Sequence, residues 1–210
     1  MPLRDRPAEA DGADLEEGVR DQRRVLGRGE SVTSDAPSQH RAYAPKSIRC
    51  AVLTVSDSRT VADDKSGKLI SELLLAAAHA TVAHEIVPDE ADAIRLAVLR
   101  ALARSEVDAV IATGGTGVSP RDVTPDALEP LFEKRLAGFG ELFRALSFEE
   151  IGAAAVLSRA TAGTVAGKVV YVMPGSSGAV RLGMQKLILP ELAHVVGQLR
   201  RADAPPSGAR

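Results

Sequence analysis

The residues best suited to chemistry are Gly114, Gly115, Thr116 and Gly117, which directly follow the apolar run 108–113. Glycines let successive backbone N–H groups approach an oxyanion without interference from a Cβ, so such a turn can form a nest for an anion. In a parallel sheet this position is the carboxyl end of a strand, where ligands bind. The alternative is a turn that only reverses the chain, and a bare glycine cluster favours neither. The spacing is not that of a P-loop, so a nucleotide would be held by another geometry.

Two further turns of similar chemistry end other apolar runs. Pro174, Gly175 and Ser176 follow such a run and open a predicted helix, whose N-terminus favours anions. Ser56 and Asp57 end the first apolar run of the chain in a comparable way. Three candidate binding turns are therefore expected on one edge of a sheet.

Two carboxylates could belong to the same site. Asp122 follows the glycine turn by a few residues, and an acid beside an anion site is unexpected unless a cation lies between them. Mg²⁺ bridging phosphates to one or two carboxylates is the usual arrangement. The alternative for Asp122 is a solvated loop ahead of a helix. Asp89 directly precedes another predicted helix, and its position alone favours a simple N-cap.

The elements that must position these residues alternate along the first half of the chain. Apolar runs at 50–56 and 108–113 are typical of strands buried on both faces, and 81–87 is predicted to be a third strand. Helical spacing of apolar residues predicts helices that open at Ser66 and Gly67 and that cover 91–104. Strands alternating with helices indicate a parallel sheet with right-handed crossovers.

The second half is less regular. Its predicted elements are helices from Thr124 to near Lys134 and at 138–148, two short strands within 160–172 that are interrupted at Gly163 and at 166–167, and an amphipathic helix pair ending near Arg201. Thr124, followed by a proline, is predicted to cap the first of these helices. Ser177, taken alone, is predicted to cap the final pair.

Composition and charge exclude several classes of partner. The net charge is −2 and the pI is about 6.1, which gives no basic field for nucleic acid or for an anionic membrane. Aromatic residues make up 3% of the chain, which leaves little for stacking on bases. The N-terminal stretch lacks the apolar segment typical of a signal peptide, and no run approaches the about 18 apolar residues that would span a bilayer. These features predict a cytoplasmic protein that contacts neither nucleic acid nor membrane.

Metal-centred and nucleophilic chemistry receive little support from the sequence. The four histidines are dispersed and Cys50 is the single cysteine, so there is no zinc-ligand spacing and no intrachain disulfide. Cys50 lies inside an apolar run, where a buried and inert thiol is the ordinary outcome. No G-x-S-x-G motif is present, so Ser-His-Asp hydrolysis is not indicated.

Domain organisation follows from a change of composition near residue 46. Residues 1–45 carry seven arginines against nine acids and few apolar residues, so they cannot bury enough surface to offset the entropy of ordering. We predict a disordered N-terminal extension over 1–45, one domain over 46–201, and a flexible C-terminal tail over 202–210. A partner-binding arm is the alternative for the N-terminal arginines, but acids are interleaved among them.

Several ordered motifs together resemble one known family. They are TVSDSRT, SGKLI, IVPDE, ATGGTGVSPRDVTPDAL, GFGELFRALSFEEIG, LSRATAG and VVYVMPGSSGAV, between about Ser47 and Arg201. Their sequence is similar to the molybdenum cofactor biosynthesis family of MoaB and MogA, the molybdopterin adenylyltransferases, and GFGELFRALSFEEIG favours the MoaB branch. The resemblance implies a three-layer α/β/α domain with a mostly parallel sheet, the molybdopterin-binding domain fold. It also implies assembly into homotrimers or homohexamers, with other enzymes of the pathway as candidate partners.

The resemblance implies transfer of AMP from Mg-ATP to the terminal phosphate of molybdopterin, and it assigns roles to individual residues. Asp89 and Asp122 match the acids associated with the transfer and with Mg²⁺, which reverses the preference for a simple cap at Asp89. The positions matching substrate-binding residues are Ser56, Asp57, Gly114, Gly115, Thr116, Gly117, Ser147, Ser158, Pro174, Gly175 and Ser176.

Two features depart from the family pattern. The turn after Gly175 continues with Ser176, Ser177 and Gly178, where many adenylyltransferases carry a second proline or an amide. The N-terminal extension also lies outside the pattern. A non-catalytic protein that binds or carries molybdopterin is the alternative function, and the presence of both Asp89 and Asp122 favours the enzyme.

Overall fold

The computed structural model of the protein describes residues 44–202. Its strands are β1 (Arg49–Val55), β2 (Ala80–Val87), β3 (Ala109–Thr113), β4 (Lys134–Arg135), β5 (Thr161–Val165) and β6 (Lys168–Met173). Its α-helices are α1 (Lys65–Ala76), α2 (Ala91–Ala103), α3 (Thr124–Leu128), α4 (Ala137–Ile151), α5 (Ser177–Leu182) and α6 (Leu189–Ala202). Of the two predicted tails, only Ala44, Pro45 and Ala202 fall inside the described residues. No helix in residues 44–202 is long and apolar enough to cross a membrane.

The strands form one six-stranded sheet in the order β2-β1-β3-β6-β5-β4. The pairs β1–β2, β1–β3 and β3–β6 are parallel, whereas β5 is antiparallel to both of its neighbours. The parallel strands begin at one edge of the sheet and end at the other. The mostly parallel sheet predicted from the sequence is therefore confirmed.

Helices cover both faces of the sheet because the strand residues alternate between two apolar clusters. On one face Cys50, Val52 and Ile111 pack with α1, α4, α5 and α6. On the other face Leu53 and Val110 pack with α2 and α3. This arrangement confirms the three-layer α/β/α architecture. Buried Cys50 has its pKa raised to about 12 by desolvation, as expected for an inert thiol.

The predicted interruption at Gly163 is wrong. Gly163 lies inside β5, where a Cβ would come within 2.3 Å of the Phe132 ring. The glycine allows an aromatic side chain to lie flat against the strand, and it does not end that strand. The two-residue strand β4, which pairs with β5, was not predicted because so short a segment has no detectable period.

The cap predictions at Thr124 and Ser177 are also wrong. Helix α3 begins at Thr124 with Val123 as its N-cap and ends at Leu128, followed by a 3₁₀ turn over Glu129–Leu131. Ser176 caps α5 by accepting a hydrogen bond from the N–H of Ala179. The final helix pair is joined through a π-helical segment, Gly183–Ile188.

Candidate functional site

Four adjacent strands end at the same edge of the sheet, and each is followed by residues singled out in the sequence. The order β2-β1-β3-β6 places the turns that begin at Asp89, Ser56, Gly114 and Pro174 side by side. The carboxyl edge of a parallel sheet is where such folds bind ligands. The structure therefore brings the three predicted turns together and adds the turn after β2.

The glycine turn adopts a backbone that other residues would disrupt. Gly114 and Gly115 have φ of +106° and +61°. A Cβ on Gly114 would come within 2.2 Å of the Val55 carbonyl oxygen. The neighbouring turn also packs against it, since a Cβ on Gly175 would come within 3.3 Å of the Gly114 Cα. The Gly114 N–H donates to the Met173 carbonyl at 3.0 Å, which fixes the entry to the turn.

Asp57 and Asp89 form a reciprocal pair across the ends of β1 and β2. The Asp57 N–H donates to Asp89 Oδ2 at 3.1 Å, and the Asp89 N–H donates to Asp57 Oδ1 at 3.0 Å. The Arg121 guanidinium forms an ion pair with Asp57, with Nε at 3.0 Å from Oδ2. Helix α2 has Glu90 at its N-cap position without any side-chain hydrogen bond. The carboxylate of Asp89 is therefore not a helix cap.

The two acids of this pair have opposite pKa shifts. The hydrogen bond from Arg121, assisted by that from the Asp89 N–H, lowers the pKa of Asp57. Burial raises the pKa of Asp89, and the negative charge of Asp57 raises it further. The surroundings of Asp89 therefore disfavour its ionised form. Acids with such raised pKa values are common at functional sites.

Asp122 lies next to the last glycine of the turn. A Cβ on Gly117 would come within 2.8 Å of Asp122 Oδ2. The same oxygen accepts a hydrogen bond from the Ser119 N–H at 2.9 Å, and the Asp122 N–H donates to the Ser119 carbonyl at 2.9 Å. This tight turn holds the Asp122 carboxylate beside the glycine backbone.

Thr124 is a residue of the site that the sequence did not identify as such. Its Oγ1 is buried and has no hydrogen-bond partner, and a Cβ on Gly115 would come within 2.4 Å of it. That Cβ would also lie 2.9 Å from Asp89 Oδ1. An unpaired buried hydroxyl is costly and calls for an explanation. The Thr124 hydroxyl faces Gly115, and the Asp89 carboxylate lies close to the same glycine.

The donor set determines which metal these residues could hold. Within residues 44–202, no group of three or more histidines, cysteines or acids is arranged to hold an ion. Mg²⁺ differs from zinc in that it commonly uses one or two carboxylates and takes its other ligands from water and phosphate. The carboxylates of Asp89 and Asp122, each beside a glycine of the turn, fit that requirement.

The opposite side of the glycine turn opens into a small cavity of about 230 Å³. Six residues singled out in the sequence line it, namely Thr116, Gly117, Ser147, Ser158, Pro174 and Ser176. Apolar side chains, among them Phe143 and Leu157, form much of the remaining wall. A cavity with an apolar wall and a few convergent polar groups is typical of a site for a small organic molecule.

The structure thus separates the predicted residues into two groups on either side of the glycine turn. Asp57, Asp89 and Asp122 lie on the acidic side, whereas the two serines of the cavity lie on the other. The hydroxyl of Ser56 accepts hydrogen bonds from the N–H groups of Ser58 and Arg59, so it closes its own turn.

Sequence reasoning missed three arginines that connect these parts. Arg121 pairs with Asp57, Arg59 donates to the Gly175 carbonyl at 3.3 Å, and Arg159 donates to the Gly117 carbonyl at 2.8 Å. Two of them are sequence neighbours of residues that were predicted, Asp122 and Ser158. This proximity in sequence was the available signal, but the sequence alone does not show which group such an arginine contacts.

A family model described as "Probable molybdopterin binding domain" matches residues 51–194. Among curated proteins, "Molybdenum cofactor biosynthesis protein B" of Bacillus subtilis is 54% identical over 164 residues, which cover 78% of this chain and 96% of that protein. The protein of the same name from Bacillus anthracis is 52% identical over 165 residues, covering 78% of this chain and 98% of that one.

Solved structures agree with these matches. A crystal structure of "Molybdenum cofactor biosynthesis protein B" is similar with a TM-score of 0.74 and 53% identity, over 75% of this chain and 99% of the other. The tungsten cofactor synthesizing protein MoaB from Pyrococcus furiosus is similar with a TM-score of 0.68 and 42% identity, over 75% and 99% of the two chains.

Proposed function

Since this chain belongs to the molybdenum cofactor biosynthesis protein B family and carries its molybdopterin binding domain, we propose that it transfers AMP from Mg-ATP to the terminal phosphate of molybdopterin. The observation that carries this proposal is the glycine turn. The unpaired hydroxyl of Thr124 and the carboxylate of Asp89 lie against Gly115, and the carboxylate of Asp122 lies against Gly117. A backbone nest flanked by carboxylates suits phosphate groups that are accompanied by a cation.

The proposed reaction requires little covalent chemistry from the protein. An oxygen of the terminal phosphate of molybdopterin attacks the α-phosphorus of ATP, and a new P–O bond forms there. The bond between the α-phosphorus and the oxygen that bridges to the β-phosphate breaks, and pyrophosphate leaves with that electron pair. The attacking oxygen is already ionised near neutral pH, so neither a protein nucleophile nor a general base is needed. Catalysis by positioning and by charge is typical of phosphoryl-group transfers.

Asp89 and Asp122 would hold Mg²⁺, and the bound ion would supply positive charge for the phosphate oxygens. Backbone N–H groups of the turn would bind the phosphates and fix their direction. On the other side, the hydroxyls of Ser147 and Ser158 would orient the organic part of molybdopterin in the cavity of about 230 Å³. The two substrates would then meet at the glycine turn.

The direct test is to incubate the purified full-length protein with molybdopterin, ATP and Mg²⁺, and to separate the products by chromatography with mass detection. We expect adenylylated molybdopterin and an equal amount of pyrophosphate. Omission of Mg²⁺ is the matched control and should abolish product. If molybdopterin binds but no adenylate forms at any Mg²⁺ concentration, the carrier function replaces the enzymatic one.

We also propose that the protein forms homo-oligomers, with a trimer or hexamer as the expected state. Support comes from apolar side chains exposed at the end of α4 and in the 3₁₀ helix that follows it, Gly152–Leu157. Phe148, Ile151 and Val156 are 61%, 61% and 79% exposed in the single chain, and clustered exposed apolar residues commonly mark an interface. Light scattering at micromolar concentration should give a mass of three or six chains, and a monomer mass would contradict this proposal.

A further inference from the structure

We propose that Arg159 is a positioning residue, which fixes the glycine turn and Asp122 relative to one another. Its functional consequence rests on the proposed adenylyl transfer, whereas its effect on the turn can be measured without any substrate. Arg159 follows Ser158 of the cavity and precedes β5.

The guanidinium of Arg159 joins three separate points around the turn. Its Nε donates to the Gly117 carbonyl at 2.8 Å, and its Nη2 donates to the Asp122 carbonyl. Its Nη1 donates to both carboxylate oxygens of Asp126, at 2.8 and 3.0 Å. A planar guanidinium with several fixed donors can hold such a constellation, whereas an ammonium group cannot reproduce it.

The backbone of Arg159 adds a fourth connection. Its N–H donates to the Thr116 carbonyl at 3.0 Å. Thr116 and Gly117 line the cavity, and Asp122 lies on the acidic side. Arg159 therefore links the two sides of the site through the segment that contains Gly117 and Asp122.

The segment between the Gly117 and Asp122 carbonyls makes few other contacts with the rest of the domain. Val118, Ser119, Pro120 and Arg121 are exposed, and Ser119 bonds to Asp122 within the segment itself. The side-chain contact of Arg121 is to Asp57, also exposed. The segment consequently depends on Arg159 for its position against the β5 side of the domain.

Two variants and a matched control test the inference. Arg159→Met keeps the aliphatic length and removes all donors, and Arg159→Lys keeps the charge but only one donating centre. Arg135→Met is the control, because Arg135 lies near the same part of the surface but pairs with Glu129 and not with the turn. Urea unfolding establishes that each variant is folded.

Amide hydrogen exchange of the full chain, measured on peptides covering residues 114–122, is the first readout. We expect Arg159→Met to accelerate exchange in this segment by about tenfold or more, while strand β1 is unchanged. Arg159→Lys should be intermediate, and Arg135→Met should match the parent. Unchanged exchange in Arg159→Met would overturn the inference, and should that variant fail to fold, Arg159→Lys decides by the same criterion.

Adenylyl transfer is the second readout. We expect kcat of Arg159→Met to fall about 10- to 100-fold, the usual effect of losing a group that orients functional residues. In the shorter variant Arg159→Ala, methylguanidinium at millimolar concentration should restore part of that rate, whereas methylammonium should not. A folded Arg159→Met with a loosened segment and the parent kcat would overturn the positioning role. If the parent itself makes no adenylate, the proposed function fails, and hydrogen exchange alone then decides the inference.

Discussion

Two carboxylates near the same edge of the sheet differ in how well their surroundings support a negative charge. Asp64 is fully buried at the start of α1, and Asp89 is half-buried after β2. Asp64 accepts hydrogen bonds from Thr54 Oγ1 at 2.6 Å, from Ser66 Oγ at 3.1 Å and from Gly67 N–H at 2.9 Å. His84 Nε2 lies 2.8 Å from Asp64 Oδ2, the oxygen that also accepts from Thr54.

Asp89 has far less support for its charge. The hydrogen bond to its carboxylate comes from the Asp57 N–H, and Asp57 itself is negative. Burial opposes ionisation of both acids, yet the hydrogen bonds hold the pKa of Asp64 below its ordinary value. At Asp89 burial prevails and the pKa is raised. The hydrogen bonds around Asp64 therefore support its charge, whereas in the part of the chain that the structure describes the charge of Asp89 has a single hydrogen bond, from the backbone of an acidic neighbour.

The largest expected effect is on the acidic side of the glycine turn. Asp122→Asn should lower kcat for adenylyl transfer about 10²- to 10³-fold, because electrostatic stabilisation acts chiefly in the transition state. Asp89→Asn should have an effect of similar size. Molybdopterin binding should remain within about twofold of the parent, because the acids are expected to stabilise the transition state and to contribute little to ground-state binding. Rates at saturating substrate and equilibrium binding measure the two quantities separately.

Asp92→Asn is the matched control for these variants, because Asp92 is an acid on α2 with a side chain 96% exposed. It should retain the parent rate. If both Asp89→Asn and Asp122→Asn also turn over at the parent rate, the assignment of the acids to catalysis is wrong.

The next largest effect is expected at Asp64, and it concerns stability. Asp64→Asn places an amide N–H₂ among donors that all point at a carboxylate. The loss should be about 2 to 4 kcal/mol in the free energy of unfolding, the usual cost of breaking a buried charged network. Urea unfolding near neutral pH measures it, with Asp92→Asn expected within about 0.5 kcal/mol of the parent. A loss at Asp64 no larger than at Asp92 would remove the distinction between the two acids.

A smaller effect is expected from the cavity side of the turn. Ser158→Ala removes a single neutral hydroxyl, so it should raise KM for molybdopterin about five- to tenfold and leave kcat nearly unchanged, in line with a hydrogen-bond contribution of about 1 kcal/mol. Steady-state kinetics with molybdopterin varied at saturating Mg-ATP provide the measurement. A fall in kcat without a change in KM would place Ser158 on the catalytic side instead.

The contrast also shows what could be predicted from the sequence. The strands β1, β2 and β3 were predicted to within one residue. For β1 and β3 the signal was an apolar run of the kind typical of strands buried on both faces, whereas β2 is an edge strand with exposed His84 and Glu85. The glycine turn and Asp122 were found because they follow such a run closely. Asp64 was missed, because an acid ten residues after Thr54 gives no local sign that it folds back to contact it. Position alone favoured a cap at Asp89, and only the family resemblance assigned it to the site.

Thr124 and Arg159 show the same limit. A threonine before a proline satisfies the usual cap pattern, so nothing in the sequence indicates that its hydroxyl faces Gly115 without a partner. The contacts of Arg159 connect it to residues more than thirty positions earlier in the chain. Local patterns predict elements and turns, whereas contacts between distant segments depend on the assembled sheet.

The smallest expected effect is the pH dependence of stability at Asp89, and it has the opposite sign to that at Asp64. The folded-state pKa of Asp89 is raised, so its favourable contribution is complete below the unfolded-state pKa of about 3.9 and is lost as the pH rises through the folded-state value. Asp89→Asn should therefore be slightly more stable than the parent at about pH 7.5, by less than about 1 kcal/mol. That gain should disappear toward about pH 4, where the parent carboxyl becomes protonated. For Asp64, whose pKa is lowered, stabilisation is present above the unfolded-state pKa and is lost as the pH falls through the folded-state pKa.

Urea midpoints of the parent, Asp89→Asn and Asp64→Asn at the two pH values test these opposite pH dependences. A loss of stability in Asp89→Asn at about pH 7.5 would mean that Asp89 is a structural acid like Asp64.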